Sequence, residues 1–314
     1  MAGRAVTPTG IHAFLPFYIF FGDDFGYLDL GTFAGGTTSE ARGINDLGQV
    51  VGFSDTGDGT RRAFGWTSGP LTGLGTLGGS SCATCESLAY AINNSGQIVG
   101  ESDALLPLFK LAARHAFLIP TTSEIVLESL HDVGTLGGTL CFTCRSAAYD
   151  INESGHIVGE SEIVLASSFT HAFLYRDGVM QDLNDLLPDT ARALWVLTDA
   201  RGINDLGQVV GTGLFEGRMR AYLLTPPAQL LVTNVQELLP ILNFESPGLR
   251  ESLEMKLRAA HQALRQNQQL AACNQVAAFD YEVRAQSGRG LPVVQADKLT
   301  AGADLIKTEL VCQP

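Results

Sequence analysis

Residues 41–52 read ARGINDLGQVVG, and residues 200–211 read ARGINDLGQVVG again. Two looser copies lie between them, AINNSGQIVG at 91–100 and DINESGHIVG at 150–159. All four fit I-N-x-x-G-x-(V/I)-V-G, beginning at Ile44, Ile92, Ile151 and Ile203, so the spacings are 48, 59 and 52 residues. An apolar residue and Asn, two variable positions, a Gly and then a β-branched run spell a hairpin. Asn tolerates unusual backbone angles, and Gly supplies the positive φ that a tight connection needs.

Two further phrases recur in step. A small, aromatic-bearing run stands at His12 (HAFL), Arg62 (RAFGW), His115 (HAFL), His171 (HAFL) and Arg220 (RAYLL). A glycine phrase starts at Asp29 (DLGTFAGG), Gly73 (GLGTLGG) and Asp132 (DVGTLGG). The aromatic run reads as a third strand, and a turn such as Arg176–Gly178 leads to a fourth, VMQDL. Four short strands in about fifty residues match a propeller blade, and such a unit buries its apolar face only against its neighbours. The expected fold is an all-β, β-propeller-like domain of four to five four-stranded blades, with a β-solenoid as the rival. The aromatic run at His12 has no I-N hairpin before it, so the first blade is expected to be incomplete. A small all-α three-helix bundle follows.

These phrases resemble the HAF-repeat family of bacterial extracellular proteins, over about residues 12–226. The resemblance implies secretion and a propeller-like fold, and it implies no catalytic residue. The chain departs from the pattern at Arg62 and Arg220, where His is usual.

Length and charge agree with two domains: 1–230 as the β domain, 231–245 as a linker and 246–314 as the bundle. The 314 residues carry a formal net charge of −13. Residues before Ser246 hold 26 acids and 12 bases, those from Ser246 onward seven and eight. An acidic β domain whose one lysine is Lys110 repels phosphate, which sets aside nucleic acid and anionic membrane as partners. In the C-terminal part, Ser246 with Pro247 reads as an N-cap and a first-turn proline. Leu249, Leu253, Leu257, Ala260 and Leu264 then share one helical face. A second helix carries Leu270, Cys273, Val276, Phe279 and Val283, and a third Leu299, Ala303, Ile306 and Leu310. This segment looks like the helical module called FIMAH, which adds context and no chemistry.

Cys273 and Cys312 fall at neighbouring ends of antiparallel helices and can pair. Cys82 with Cys85, and Cys141 with Cys144, form C-x2-C pairs at the same offset after a double Gly. Local disulfides are the favoured reading; a four-thiolate zinc site and a redox dithiol stay open.

The candidate ligand-binding residues are Glu101 and Asp103 in GESD, Glu160 and Glu162 in GESE, and His115 and His171 of the aromatic runs. Acid pairs serve glycosidases or calcium, yet on repeats they are commonly turn residues. His12, His115 and His171 occupy equivalent places that Arg62 and Arg220 fill elsewhere, and a permanent cation does not replace a metal ligand. SDTGDGT (54–60) is calcium-like but lacks the bidentate Glu. GLGTLG (73–78) matches a dinucleotide-binding glycine pattern without the helix that chemistry needs. Ile11 to Phe21 is too short to span a bilayer. The two middle units also share apolar insertions, ALLPLFKLAAR (104–114) and IVLASSFT (163–170), which form either a binding patch or lengthened hairpins. The leading expectation is therefore a non-catalytic, extracellular binding or adhesion scaffold for a protein or glycan, with no cofactor. A polysaccharide-active enzyme and a structural calcium or zinc module are the alternatives.

Overall fold

The computed structural model describes residues 3–18, 25–106, 111–120, 130–138, 141, 143–164 and 169–312. It divides into two units, residues 1–203 with 209–222, and residues 204–208 with 223–314.

Among the described residues five antiparallel sheets follow in chain order, all within the first unit except Leu223 and Leu224 at the end of the fifth sheet. They are β1 (Gly3–Thr7), β2 (Gly10–Tyr18) and β3 (Phe25–Gly31); β4 (Ser39–Ile44), β5 (Val50–Asp55), β6 (Arg61–Trp66) and β7 (Thr72–Gly73); β8 (Ser87–Ile92), β9 (Ile98–Leu106), β10 (Leu111–Ile119) and β11 (His131–Gly134); β12 (Ser146–Ile151), β13 (Ile157–Glu162), β14 (Thr170–Arg176) and β15 (Val179–Asp182); and β16 (Trp195–Ile203), β17 (Val209–Phe215) and β18 (Arg218–Leu224). Three sheets have the expected four strands and the outer two have three. The fifth stops because Pro226 and Pro227 follow β18 and cannot enter a ladder. The first opens on β1, which pairs with the aromatic strand β2 as β5 pairs with β6. Among the described residues, the sheet thus has no strand equivalent to β4.

Each sheet packs on the next through its first strands, β4 on β2, β8 on β5, β12 on β9 and β16 on β13. The two-residue phrases explain how. Successive strand side chains point to opposite faces. Val51 and Ala63 of the second sheet therefore meet Ala89, Ile98 and Phe117 of the third. Val99 and Ala116 of the third meet Ala148, Ile157 and Phe173 of the fourth. Val-Val and Ala-Phe each send one side chain to either neighbour, which is why these strands read as apolar runs and not as alternation.

Buried hydroxyls pin the sheets together. Ser87 Oγ accepts from Ala63 N (2.9 Å) and donates to Gly75 O (2.6 Å). Ser146 does the same with Ala116 N and Gly134 O, and Ser39 with Ala13 N and Gly31 O. The I-N turns also stack: Asn45 Nδ2 donates to Asn93 O, and Asn93 Nδ2 to Asn152 O, both at 3.0 Å. The positive φ falls on glycine, as expected: Gly48, Gly96, Gly155 and Gly207 lie between 76 and 81°, and the Asn takes no positive φ. The Asn side chain instead closes the turn, as when Asn45 Oδ1 accepts from Leu47 N and Gln49 N.

The second unit corrects the boundaries. Residues 231–245, expected as a linker, are partly helical. After a four-residue turn α1 (Asp189–Arg192) in the first unit, α2 spans Ala228–Leu238 and runs into a 3-10 turn, Leu239–Ile241. Leu231, Val232, Val235 and Leu238 fall on one face and are buried. The sequence hid this helix because Pro227 gives it no side-chain cap and its run is short. Then come α3 (Pro247–Arg265), α4 (Gln269–Gln286) and α5 (Val293–Glu309), so four helices, not three, share one core. Ser246 Oγ caps α3 at Leu249 N, as expected. Leu270 is exposed, and Ala272 takes the buried place expected for it. The turn Asn204–Gln208 belongs with this unit: Asn234 Nδ2 donates to Leu206 O (2.7 Å) and Lys298 pairs with Asp205 (3.0 Å).

All three expected disulfides are formed, Cys82–Cys85, Cys141–Cys144 and Cys273–Cys312. The double glycines make room for the first two: a Cβ on Gly78 would lie 2.6 Å from Cys85 Sγ, and one on Gly137 2.5 Å from Cys141 Cβ. GLGTLG (73–78) is followed by a three-residue 3-10 turn, Gly79–Ser81, and so leads into no α-helix N-terminus for a pyrophosphate.

Candidate functional site

The site starts from a defect. The ladders between the first two strands of sheets two to five all slip at an equivalent place, between Ala41 and Gly43, Ala89 and Ala91, Ala148 and Asp150, and Ala200 and Gly202; the fifth slips a second time, between Leu197 and Asp199. At the equivalent place the residue skipped is Arg42, Tyr90, Tyr149 or Arg201. A bulge leaves one residue unpaired and re-aims its side chain. It also pushes the preceding carbonyl toward the partner strand. That explains the last glycine of the hairpin motif: a Cβ on Gly52, Gly100, Gly159 or Gly211 would stand 2.0, 2.0, 1.9 or 2.1 Å from the carbonyl oxygen of Glu40, Leu88, Ala147 or Asp199.

The four released side chains line up across the sheets. The Arg42 guanidinium lies 5.6 Å from the centre of the Tyr90 ring, the Tyr90 and Tyr149 rings are 5.6 Å apart, and the Arg201 guanidinium sits 4.0 Å over Tyr149. Cation–π attraction and ring packing hold this Arg–Tyr–Tyr–Arg row together. Carboxylates fix its members. Arg42 pairs with Glu40, and Arg201 with Asp199 and Glu160. The Tyr90 hydroxyl donates to Glu101 Oε1 (2.9 Å), and the Tyr149 hydroxyl bonds to Glu160. Burial, then the adjacent carboxylate, raises both tyrosines above their ordinary pKa. Burial also raises Glu160, against the opposing pull of the Tyr149 hydrogen bond and Arg201.

Beside the row, an open groove of about 340 Å³ runs between the third and fourth sheets, with Glu101, Arg114, Arg145, Glu160 and Glu162 on its walls. Arg114 is the hub: it reaches Glu86 (3.0 Å), Glu101 (3.3 Å) and Asp103 (3.0 Å).

The four expected carboxylates gather at the groove: Glu101, Glu160 and Glu162 line it, and Asp103 pairs with Arg114. Asp103 and Glu162 also serve the backbone: Asp103 Oδ2 accepts from Glu86 N (2.9 Å) and Glu162 Oε2 from Arg145 N (2.9 Å). The serines between these acids, Ser102 and Ser161, are buried and accept from Leu77 N and Leu136 N. The histidines brace strands. His12 Nδ1 bonds to Asp29 (2.9 Å), His115 Nδ1 to Asp132 (2.8 Å) and His171 Nδ1 to Asp182 (2.5 Å). Where Arg62 replaces His, Gly73 replaces the Asp, and Arg62 instead donates to the carbonyls of Cys85 and Ala83. In SDTGDGT, Asp58 Oδ1 accepts from the Thr56 and Thr60 hydroxyls and from Thr60 N, which closes a hairpin and holds its carboxyl well below the usual range. The first insertion is a lengthened hairpin, paired out to Leu106 and Leu111. Its tip at 107–110, and 165–168 of the second insertion, lie outside the described residues. Among the described residues no group of three or more His, Cys, Asp or Glu could hold a metal ion.

Arg42, Tyr90, Tyr149, Arg201 and Arg114 were not singled out by the sequence reading. The signal was present: inside an otherwise repeating phrase, the residue after Ala changes class from Arg to Tyr to Tyr to Arg. Comparison with known proteins finds no matching family model, no matching curated protein and no matching solved structure.

Proposed function

We propose that this chain is a non-catalytic, extracellular binding scaffold of the HAF-repeat type. In this reading the sheets are blades of a β-propeller-like array, the helices are a FIMAH-like module, and the ligand is a protein or glycan. The observation that carries it is the bulged row. Four strands give up a ladder hydrogen bond at the same position to release Arg42, Tyr90, Tyr149 and Arg201, beside a groove with fixed carboxylates and Arg114. Aromatic rings with carboxylates and guanidinium groups, held on paired strands, are a preorganised polar and apolar surface. Three disulfides are compatible with an oxidising compartment.

The test is a glycan array and a panel of purified extracellular proteins, probed with the intact chain and with Tyr90→Ala/Tyr149→Ala. Binding that weakens at least tenfold in the double variant supports the reading. Ligands bound equally by both proteins would remove the row from it. Release of reducing ends from a bound polysaccharide, abolished in Glu160→Gln, would replace it with a polysaccharide-active enzyme.

A further inference from the structure

The three disulfides sit in unlike surroundings. Cys141 and Cys144 are 4% and 1% exposed, and Cys273 and Cys312 pack against the helical core. Cys82 is partly exposed, on a loop where Gly79, Ser80, Ser81, Ala83 and Thr84 all face solvent, while its partner Cys85 is 1% exposed. The loop does not depend on the sulfur bridge alone. Gly79 N donates to Thr76 O (3.0 Å), Cys82 N to Gly79 O (3.2 Å) and Cys85 N to Cys82 O (3.3 Å), and Gly78 N donates to Asp103 O (2.9 Å). None of these bonds uses a sulfur. A bridge and a fold also stabilise each other reciprocally. A sequence separation of 3 constrains the unfolded chain little, so the fold protects this bridge little.

A permanent positive charge lies beside the pair. The Arg62 guanidinium donates to the carbonyls of Cys85 and Ala83. Glu86, the residue after Cys85, has its carboxylate on Arg114 at 3.0 Å. The repeat places His115 where Arg62 stands, ahead of the Cys141–Cys144 loop, and His115 is paired with Asp132. A neighbouring guanidinium stabilises a thiolate, and a better-stabilised sulfur leaves faster in thiol–disulfide exchange.

We propose that Cys82–Cys85 is a thiol-reducible site of the folded chain, with Cys82 the sulfur attacked and Cys85 the sulfur released beside Arg62. The co-reactant is a small thiol or a protein dithiol. Its thiolate attacks Cys82 Sγ. A mixed S–S bond forms as the Cys82–Cys85 bond breaks, and the electron pair leaves on Cys85 Sγ. A second thiolate then attacks the donor's sulfur in that mixed disulfide, which frees Cys82 and releases the donor as its own disulfide. Two donor thiols are oxidised, the protein gains two electrons, and the two protons end on Cys82 and Cys85.

The full chain, in native buffer, is exposed to millimolar dithiothreitol. Free thiols are trapped with N-ethylmaleimide at timed intervals and located by peptide mass spectrometry. Cys82–Cys85 is expected to open about tenfold faster, or more, than Cys141–Cys144 and Cys273–Cys312, with the circular dichroism of the fold unchanged. A brief pulse of glutathione, trapped in the same way, is expected to leave its adduct on Cys82 and maleimide on Cys85. Arg62→Gln is expected to slow opening about threefold or more, and Arg62→Lys to restore it. Equal rates at the three bridges, or opening only as the dichroism of the fold is lost, overturns the site. A glutathione adduct on Cys85 overturns the roles given to the two sulfurs. So does an Arg62→Gln protein that keeps the wild-type dichroism and opens as fast as the wild type.

Discussion

Tyr90 and Tyr149 stand 5.6 Å apart, centre to centre, on equivalent bulges of neighbouring sheets, each with its hydroxyl on a glutamate. Burial and those carboxylates favour the neutral hydroxyl, so both tyrosines stay protonated in the fold at a pH where they ionise in the unfolded chain. The stability they influence is unchanged below about pH 10, the ordinary tyrosine value, and falls as the pH rises above it. Tyr222, raised by burial and by Asp199, adds to the same trend. Chemical denaturation midpoints measured from pH 7 to 11 are expected to drop above pH 10. Tyr90→Phe/Tyr149→Phe is expected to flatten that drop while costing about 1 kcal/mol per lost hydrogen bond at neutral pH.

The two glycines of the hairpin motif are expected to fail differently. Gly100→Ala puts a methyl group 2.0 Å from Leu88 O, where backbone must move. A loss above about 4 kcal/mol is expected, enough to unfold a marginal domain. Gly48→Ala meets nothing within 4 Å and suffers only from its φ of 76°, about 1–2 kcal/mol. Thermal unfolding of the two variants checks the order. Equal losses would mean the bulge carbonyl yields freely.

Ser146→Ala leaves Ala116 N and Gly134 O without their shared partner in a buried place. About 1–3 kcal/mol is expected to be lost. Hydrogen exchange should localise the loss to the Ala116 amide, which would otherwise be among the slow ones.

The disulfides are expected to rank by loop length. Cys273–Cys312 spans 39 residues and Cys82–Cys85 only 3. On the chain-entropy account these are worth about 4 and about 1.6 kcal/mol. Denaturation of Cys273→Ser/Cys312→Ser and Cys82→Ser/Cys85→Ser, each scored on the transition of its own unit, tests the ranking.

Much of the fold was legible because identical words recur. Strand order within a sheet, the glycine turns, the three cysteine pairings and the α3 cap all follow from local chemistry that a sequence displays. The bulges were not legible. They depend on which backbone groups fail to pair across two strands, and Arg42 or Tyr90 gives no hint of that when read alone. Helix α2 was missed for want of a cap, although its Leu-Val-x-x-Val-x-x-Leu spacing was there to read. Identical words also take different places. Leu47 is 68% exposed, while Leu206, in the second copy of the same twelve residues, packs against the helical core.

Those two copies have a genetic corollary. A crossover between the coding segments for 41–52 and 200–211 would join β4 to β17 in frame. It would delete three sheets' worth of chain, and the hybrid hairpin would keep its Asn-closed turn, its bulge and its glycine. The length of the array can therefore change by whole sheets in a single recombination event, without any new side chain having to be selected.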